Sequence, residues 1–278
     1  MRCSPWRERA RSSTSTRRLL SPYGRLVALL AAALLAAALA SCGDDGDQAA
    51  PTGTATGSTS TTAAATPRPG AGGISDEDLA AMVPTKADLG QDYSGFQEAA
   101  ALDTNEERRE TADDPEDEEK DQETYGRVTG YDRQLSASPS TLQADAPLLI
   151  QIGITLFEDD DGASGYLNDD VKDIEARVGR TDLGLVLEAV DPFTVPPLGD
   201  ESLGLRSRAS VPPEQGGPET FYVTYFWFRR GRIIGDVALA RFDDADISQQ
   251  VQTIASLLDE RIEQVLDRLA TPLPASTP

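Results

Sequence analysis

One apolar stripe near the C-terminal end of the sequence constrains the fold more than any other feature. Its seven members follow one another at intervals of 4, 3, 4, 4, 3 and 4 residues: Ile247, Val251, Ile254, Leu258, Ile262, Val265 and Leu269. This spacing puts all of them on one side of an α-helix. Aspartates precede the stripe and arginines lie towards its end, as the helix dipole favours. We therefore predict a long amphipathic helix that packs on a sheet, since a coiled-coil partner needs more heptads than these.

The sheet itself is indicated by three apolar segments. Residues 221–228 are apolar on both faces, which is typical of a central strand, and residues 233–240 return after a turn at 229–232. In residues 148–157, Ile150, Ile152, Ile154 and Leu156 alternate with period two and line one face. Gly153 lies on the other face of that strand, where a glycine marks a bulge or a close approach.

The remaining patterns complete a mixed domain. Ser75 begins a short helix with a capping box, residues 162–178 predict a second helix, and residues 128–135, 183–190 and 203–211 predict further strands. Long helices with an antiparallel sheet give the α+β class. We predict one globular domain over residues 75–272, with a sheet of about five to six strands, helices packed mainly on one face, and a short tail at 273–278.

The start of the sequence has the layout of an export signal. A basic stretch precedes a 15-residue apolar run at 26–40, which is short for a membrane-spanning helix and fits a signal peptide. Its end, Leu39-Ala40-Ser41-Cys42 followed by Gly43, resembles the lipobox of bacterial lipoproteins. The resemblance implies a signal peptide at 1–41, a diacylglycerol-modified Cys42, and a protein held on the extracytoplasmic face of the cell membrane. An ordinary cleaved signal peptide and a transmembrane anchor are the alternatives.

Two further segments have biased compositions. Residues 42–74 are rich in Gly, Thr, Ala, Ser and Pro, and we interpret them as the lipidated cysteine followed by a disordered tether. Residues 103–123 hold twelve acidic residues against three basic ones, and we predict a disordered acidic loop there, or a frayed helix. A calcium contact is the alternative, but the segment lacks the ligand spacing and central glycine of an EF-hand loop.

The composition excludes several kinds of site. The formal net charge of -22 disfavours nucleic acid as a partner. The chain has no histidine and two cysteines, Cys3 in the predicted signal peptide and Cys42. Histidine-based triads, the commonest zinc ligands and a free thiol nucleophile are therefore excluded from the predicted domain. We predict no catalytic residue, no metal site and no cofactor.

A second resemblance concerns the C-terminal half. The turn Leu198-Gly199-Asp200-Glu201-Ser202, followed by the hairpin Arg229-Arg230-Gly231-Arg232-Ile233-Ile234-Gly235, is similar to extracytoplasmic sensor domains attached to bacterial Ser/Thr kinases. This resemblance covers residues 190–270 and implies helices packed on an antiparallel sheet. The chain departs from that family because it lacks the paired cysteines those domains usually contain, and no binding residue is transferred.

Three functions are compatible with these features. The first is a non-catalytic, membrane-tethered domain that binds an envelope ligand or protein. The second is a hydrolase that uses two carboxylates, for which Asp200 and Glu201 are the candidate pair beside predicted strands. The third is a carrier of an apolar molecule, lodged between residues 221–228 and helix 247–269. The first is the prediction, because no catalytic motif accompanies the anchor and tether.

Overall fold

The computed structural model describes residues 73–112, 114–137, 147–182, 185–211 and 220–271. The predicted signal peptide, Cys42 and nearly all of the predicted tether lie outside the described residues, as does the tail. None of the described helices is both long and apolar enough to cross a membrane.

Six α-helices and eight strands make up the described part of the chain, together with a 3₁₀ turn at Gln91–Tyr93. The helices are α1 (Asp76–Met82), α2 (Lys86–Leu89), α3 (Asn105–Thr111), α4 (Pro115–Tyr125), α5 (Asp160–Ala176) and α6 (Ser248–Ala270). The strands are β1 (Gln97–Asp103), β2 (Arg127–Ser136), β3 (Leu149–Phe157), β4 (Thr181–Asp182), β5 (Leu185–Phe193), β6 (Glu201–Ser210), β7 (Thr220–Arg230) and β8 (Ile233–Arg241).

The strands form one antiparallel sheet in the order β1-β2-β3-β8-β7-β6-β5-β4. The predicted five to six strands were too few, since seven full strands and the two-residue β4 are present. The missed strand β1 has the sequence Gln-Glu-Ala-Ala-Ala-Leu-Asp and exposed side chains along most of its length. It therefore shows no apolar alternation, and its place in the sheet depends on pairing with β2.

Helices cover both faces of the sheet. On the first face, α1 and α6 pack against Ile150, Ile152 and Phe226 in one hydrophobic cluster. On the second face, α5 packs against Tyr225 and Trp227 in another. The expectation that helices pack mainly on one face was therefore wrong. A strand that is apolar on both faces, like β7, needs apolar cover on both sides, which two helix layers provide.

The helix predicted from the apolar stripe is confirmed as α6. From Ile247 to Val265 the stripe is buried, whereas Leu269 is 42 % exposed in the last turn. The capping box at Ser75 is also present, because the Ser75 hydroxyl accepts from the Asp78 N–H and the Asp78 carboxylate accepts from the Ser75 N–H.

The acidic segment is ordered into helices, which corrects the prediction of a disordered loop at 103–123. Thr104 caps α3 with a capping box, and the Asp114 side chain accepts from the N–H groups of Glu116 and Asp117 at the start of α4. Pro115 occupies the first turn of α4, a position that suits proline. Acidic side chains at helix N-termini complement the helix dipole, so a dense acidic composition does not by itself imply disorder.

Candidate functional site

The carboxylates proposed from sequence, Asp200 and Glu201, are bound into the turn of the β7–β8 hairpin. Arg229 lies 3.2 Å from the Asp200 carboxylate through Nη1 and 3.1 Å from the Glu201 carboxylate through Nη2. The Gly231 N–H donates to Asp200 at 2.7 Å, and the Ser164 hydroxyl donates to Glu201 at 2.9 Å. These contacts give both carboxylates a structural role in joining β6, the hairpin and α5.

The space suggested for an apolar ligand is filled by side chains. Val251, Ala255, Leu258 and Ile262 of α6 are fully buried against Phe226 and Phe228 of the first face. A carrier would need a cavity at this contact, where the helix instead packs directly on the strand.

The second face carries a polar row in an otherwise apolar sheet. The strand register aligns Ala101 of β1, Asp132 of β2, Gly153 of β3, Asp236 of β8 and Trp227 of β7 side by side. We call these five residues the aspartate row. Exposure decreases along it, from exposed Ala101 through half-buried Asp132 to Asp236, which is 5 % exposed under the α5 layer.

Gly153 lies between Asp132 and Asp236 in the aspartate row, and both carboxyl groups lean over it. A Cβ atom at position 153 would lie 2.5 Å from Asp132 Oδ1 and 2.6 Å from Asp236 Oδ1. No alkyl carbon tolerates such contacts, which explains the glycine.

Three buried polar atoms on residues beside Gly153 and Asp236 have no hydrogen-bond partner among the described residues. They are Asp236 Oδ2, Trp227 Nε1 and Oε1 of Gln151, the residue two positions before Gly153 on the same face of β3. All three side chains are at most 5 % exposed. Buried polar groups are normally paired with protein or with bound molecules, so this group of atoms points to a guest.

Asp236 holds its proton more tightly than an ordinary aspartate. Burial raises the pKa of Asp236 well above its usual value, and the carboxylates of Asp132 and Asp170 raise it further, while Arg108 opposes them. A raised folded-state pKa means that the folded chain binds a proton which the unfolded chain has already released.

A pH titration of stability tests this assignment. As pH rises from about 4 towards the raised pKa of Asp236, the wild type should lose stability relative to Asp236→Asn, measured by urea unfolding. The control is Asp246→Asn. The Ser248 N–H lowers the pKa of Asp246, so the stability that Asp246 contributes is lost as pH falls. Parallel pH profiles for the wild type and Asp236→Asn would contradict the assignment.

A buried charge cluster adjoins the aspartate row at the α3 and α4 end. One oxygen of Asp103, Oδ2, lies 2.8 Å from Arg108 Nε and 2.7 Å from Arg127 Nη2, and all three side chains are buried. Arg108 also lies 4.0 Å from Glu118. Gly130 lets Arg127 lie flat on β2, since a Cβ at position 130 would be 3.0 Å from Arg127 Nη2.

The pKa values of Arg108 and Arg127 shift in opposite directions, because the two guanidinium groups share few negatively charged neighbours. Burial opposes charge on Arg108, but Asp103, Tyr166 and Glu118 outweigh it and raise the pKa of Arg108. Burial and the nearby Arg108 lower the pKa of Arg127 to about 10, despite Asp103. Both guanidinium groups therefore stay charged at neutral pH.

A small cavity of about 30 Å³ lies between this cluster, α4 and α5, with space for a single water molecule. Its lining is acidic overall, with five carboxylates and two guanidinium groups: Glu118, Asp121, Asp169, Asp170, Asp173, Arg108 and Arg127. Asp170 and Arg108 line this cavity and also act on Asp236, so the cavity and the aspartate row share one electrostatic environment. No group of three or more carboxylates or cysteines among the described residues is arranged to hold a metal ion.

Sequence reasoning missed this site, although one signal was present. Gly153 lies on a buried strand, on the face opposite Ile152 and Ile154 and between Gln151 and Thr155 of its own face. The partners of that glycine, Asp132 and Asp236, are set by strand pairing between distant segments, which the sequence pattern does not specify.

Known structures resemble this chain loosely. The extracellular domain of PknH, a kinase of Mycobacterium tuberculosis, is a structural neighbour with a TM-score of 0.42 and 10 % identity, covering 68 % of this chain and 96 % of its own. PA94 of Pseudomonas aeruginosa, a protein of unknown function, aligns with a TM-score of 0.21 and 10 % identity, over 50 % of this chain and 79 % of its own. No protein-family model and no curated protein matches the chain. At these TM-scores, neither neighbour supports an argument about function.

Proposed function

We propose that this chain is a lipid-anchored extracytoplasmic protein whose domain binds a small ligand without transforming it. The anchor is inferred from Leu39-Ala40-Ser41-Cys42 and the tether that follows. Binding is assigned to the aspartate row on the second face of the sheet.

The observation that carries the binding assignment is the set of unpaired buried atoms around Gly153. Asp236 Oδ2, Gln151 Oε1 and Trp227 Nε1 together offer two acceptors and one donor to a single guest. Leaving such groups unsatisfied costs about 1–3 kcal/mol each. A bound ligand would remove that cost.

A carboxylate hydrolase is the competing function, and the pair Asp132 and Asp236 is what favours it. A carboxyl group with a raised pKa can act as a general acid beside a second carboxylate. Asp236 is, however, 5 % exposed and lies in the central strand pair. Hydrolysis needs a scissile bond and a water between the carboxylates, whereas even a single carbon atom added at Gly153 would lie within 2.6 Å of an oxygen of each. We therefore favour binding without turnover.

Replacing Cys42 by alanine tests the anchor. The Cys42→Ala protein should lose the diacylglyceryl mass and leave the membrane fraction, because a lipid chain is the only predicted attachment of this acidic protein. Intact mass and fractionation of the full-length chain measure both effects. Cys3→Ala is the matched control, since Cys3 lies in the predicted signal peptide and its loss should change neither. An unmodified Cys42 in a membrane-bound wild type would contradict the lipoprotein assignment.

The ligand assignment is tested on the protein as isolated from its own membranes. Mass spectrometry under non-denaturing conditions should find a noncovalent small molecule on the wild type and much less of it on Asp236→Asn. Turnover of a supplied envelope oligosaccharide or peptide that depends on Asp132 and Asp236 would favour the hydrolase instead.

A further inference from the structure

We propose that two copies of this chain associate through β1, the first strand of the sheet. The outer edge of β1 pairs antiparallel with β1 of the second copy, about a twofold axis at Ala100. This inference depends neither on the proposed ligand nor on the proposed anchor.

The outer edge of β1 is open. β1 lies at one end of the strand order, and no described segment other than β2 pairs with it. The side chains of residues 97–101 are exposed on both faces of the strand. An edge strand directs alternate backbone N–H and C=O groups away from its sheet, where they can pair with another strand.

β1 also lacks the features that usually protect an edge strand, which are lysines, prolines, bulges or a very short length. It contains no lysine or proline, and all seven of its residues pair with β2 without a shift in register. Its two acidic side chains already have partners, since Glu98 forms an ion pair with Arg133 and Asp103 forms one with Arg108. Neither carboxylate is left to repel an incoming strand.

The opposite edge of the sheet is protected. β4 has two residues, and β5 behind it carries Pro192 and shifts its register against β6 between Leu187 and Ala189. Proline has no N–H to donate to a further strand. A chain with one open edge and one protected edge can form a closed, twofold-symmetric pair, but it cannot extend the sheet through further copies.

The sequence of β1 suits pairing with itself. An antiparallel register centred on Ala100 pairs all seven residues of each strand with the second copy. The other opposing pairs are Gln97 with Asp103, Glu98 with Leu102, and Ala99 with Ala101. No two like charges face each other, which would destabilise a strand pair. The three exposed alanines at the centre place no bulky side chain between the strands.

The charges at the two ends of β1 favour the antiparallel direction. At the start of the strand, Lys86 donates from Nζ to the Phe96 carbonyl oxygen at 2.8 Å. At its end, α3 follows and exposes Glu106, Glu107 and Glu110. Antiparallel pairing brings the lysine end of each copy to the acidic end of the other, whereas parallel pairing would bring the two acidic ends together.

Backbone hydrogen bonds supply the attraction in this kind of strand addition. The formal net charge of -22 on each chain opposes it. Salt screens such repulsion beyond about 8 Å at physiological ionic strength, so the association should strengthen as salt is added.

A disulfide at the twofold axis tests the pairing in membranes that contain the full-length chain. Ala100 faces its own copy, with Cα atoms about 4.5–5.5 Å apart, which a disulfide can bridge. Mild oxidation of Ala100→Cys should therefore give a covalent dimer on a non-reducing gel. Ala101→Cys is the matched control on the same strand and should stay monomeric, because the two copies of residue 101 lie diagonally, about 7–8 Å apart. The wild type measures any background from Cys42.

A second pair of variants tests the register. Copies with Ala99→Cys and copies with Ala101→Cys, produced together, should cross-link to each other because these positions face one another. Adding Ala100→Lys to both copies should abolish the cross-link, since two lysines would then oppose each other. Gln264→Lys adds the same charge at an exposed position of α6 and should leave the cross-link intact.

Three outcomes would overturn the inference. Equal dimer yields from Ala100→Cys and Ala101→Cys would show random collision instead of a fixed register. No dimer from either variant, with both thiols reacting with a maleimide, would show that the edge stays unpaired. No dimer and no maleimide reaction would show that another segment or another protein covers the edge in place of a second copy.

Discussion

Replacing Asp103 by asparagine should destabilise the folded chain by about 3–5 kcal/mol, as is usual when one partner of a buried ion pair is removed. Asp103 Oδ2 contacts both Arg108 and Arg127, and all three side chains are at most 3 % exposed. Asparagine keeps the size of the side chain but removes the charge, so two buried guanidinium groups lose their shared partner. Urea unfolding of the full-length chain measures the loss.

The control for Asp103→Asn is an ion pair on the surface, between α3 and α4. Arg109 Nη1 lies 2.7 Å from Glu119 Oε1, but these side chains are 38 % and 54 % exposed. Glu119→Gln should therefore change the free energy of unfolding by less than about 1 kcal/mol. Equal effects of Asp103→Asn and Glu119→Gln would mean that the buried cluster does not hold α3 and β2 together as described.

Replacing Gly153 by alanine should destabilise the chain by about 1–3 kcal/mol, the usual cost of overpacking a closely packed site. The new methyl group would lie 2.5–2.6 Å from one oxygen of each aspartate, so both carboxyl groups must move apart. The same change displaces both carboxyl groups of the aspartate row, so binding there should be lost together with the stability. Urea unfolding measures the first effect, and mass spectrometry under non-denaturing conditions measures the second.

Gly165→Ala is the control for this substitution. A Cβ at position 165 would meet only the Tyr125 ring, at 3.4 Å, an ordinary contact. Alanine also favours a helix over glycine by about 1 kcal/mol, so this variant should be as stable as the wild type or more so. If Gly153→Ala is equally stable and still binds, the aspartate row beside Gly153 is not the binding site.

Sequence patterns predicted the helices, strands and caps that depend on residues close to one another in the sequence. The α6 stripe, the alternation of Ile150, Ile152 and Ile154, and the Ser75 capping box each act over a few residues. The prediction of a disordered acidic loop was wrong because it relied on the density of charge. The capping residues Thr104 and Asp114, which begin the two helices, are also visible in the sequence.

The site depends on contacts between distant segments, which is why it could not be predicted. Strand β3 pairs with β8, so Gly153 adjoins Asp236, which comes 83 positions later in the sequence. Asp132 joins them only through the register of β2. By contrast, Asp200 and Glu201 are adjacent in sequence and stood out for that reason, yet Arg229 holds both in the hairpin turn.

The most direct test of the binding site is the electron density above Gly153 in crystals of the protein isolated from its own membranes. We expect density for a bound small molecule within hydrogen-bond distance of Asp236 Oδ2, Gln151 Oε1 and Trp227 Nε1. Density with no bound molecule beside these three atoms would contradict the binding assignment and leave the aspartate row with a structural role alone.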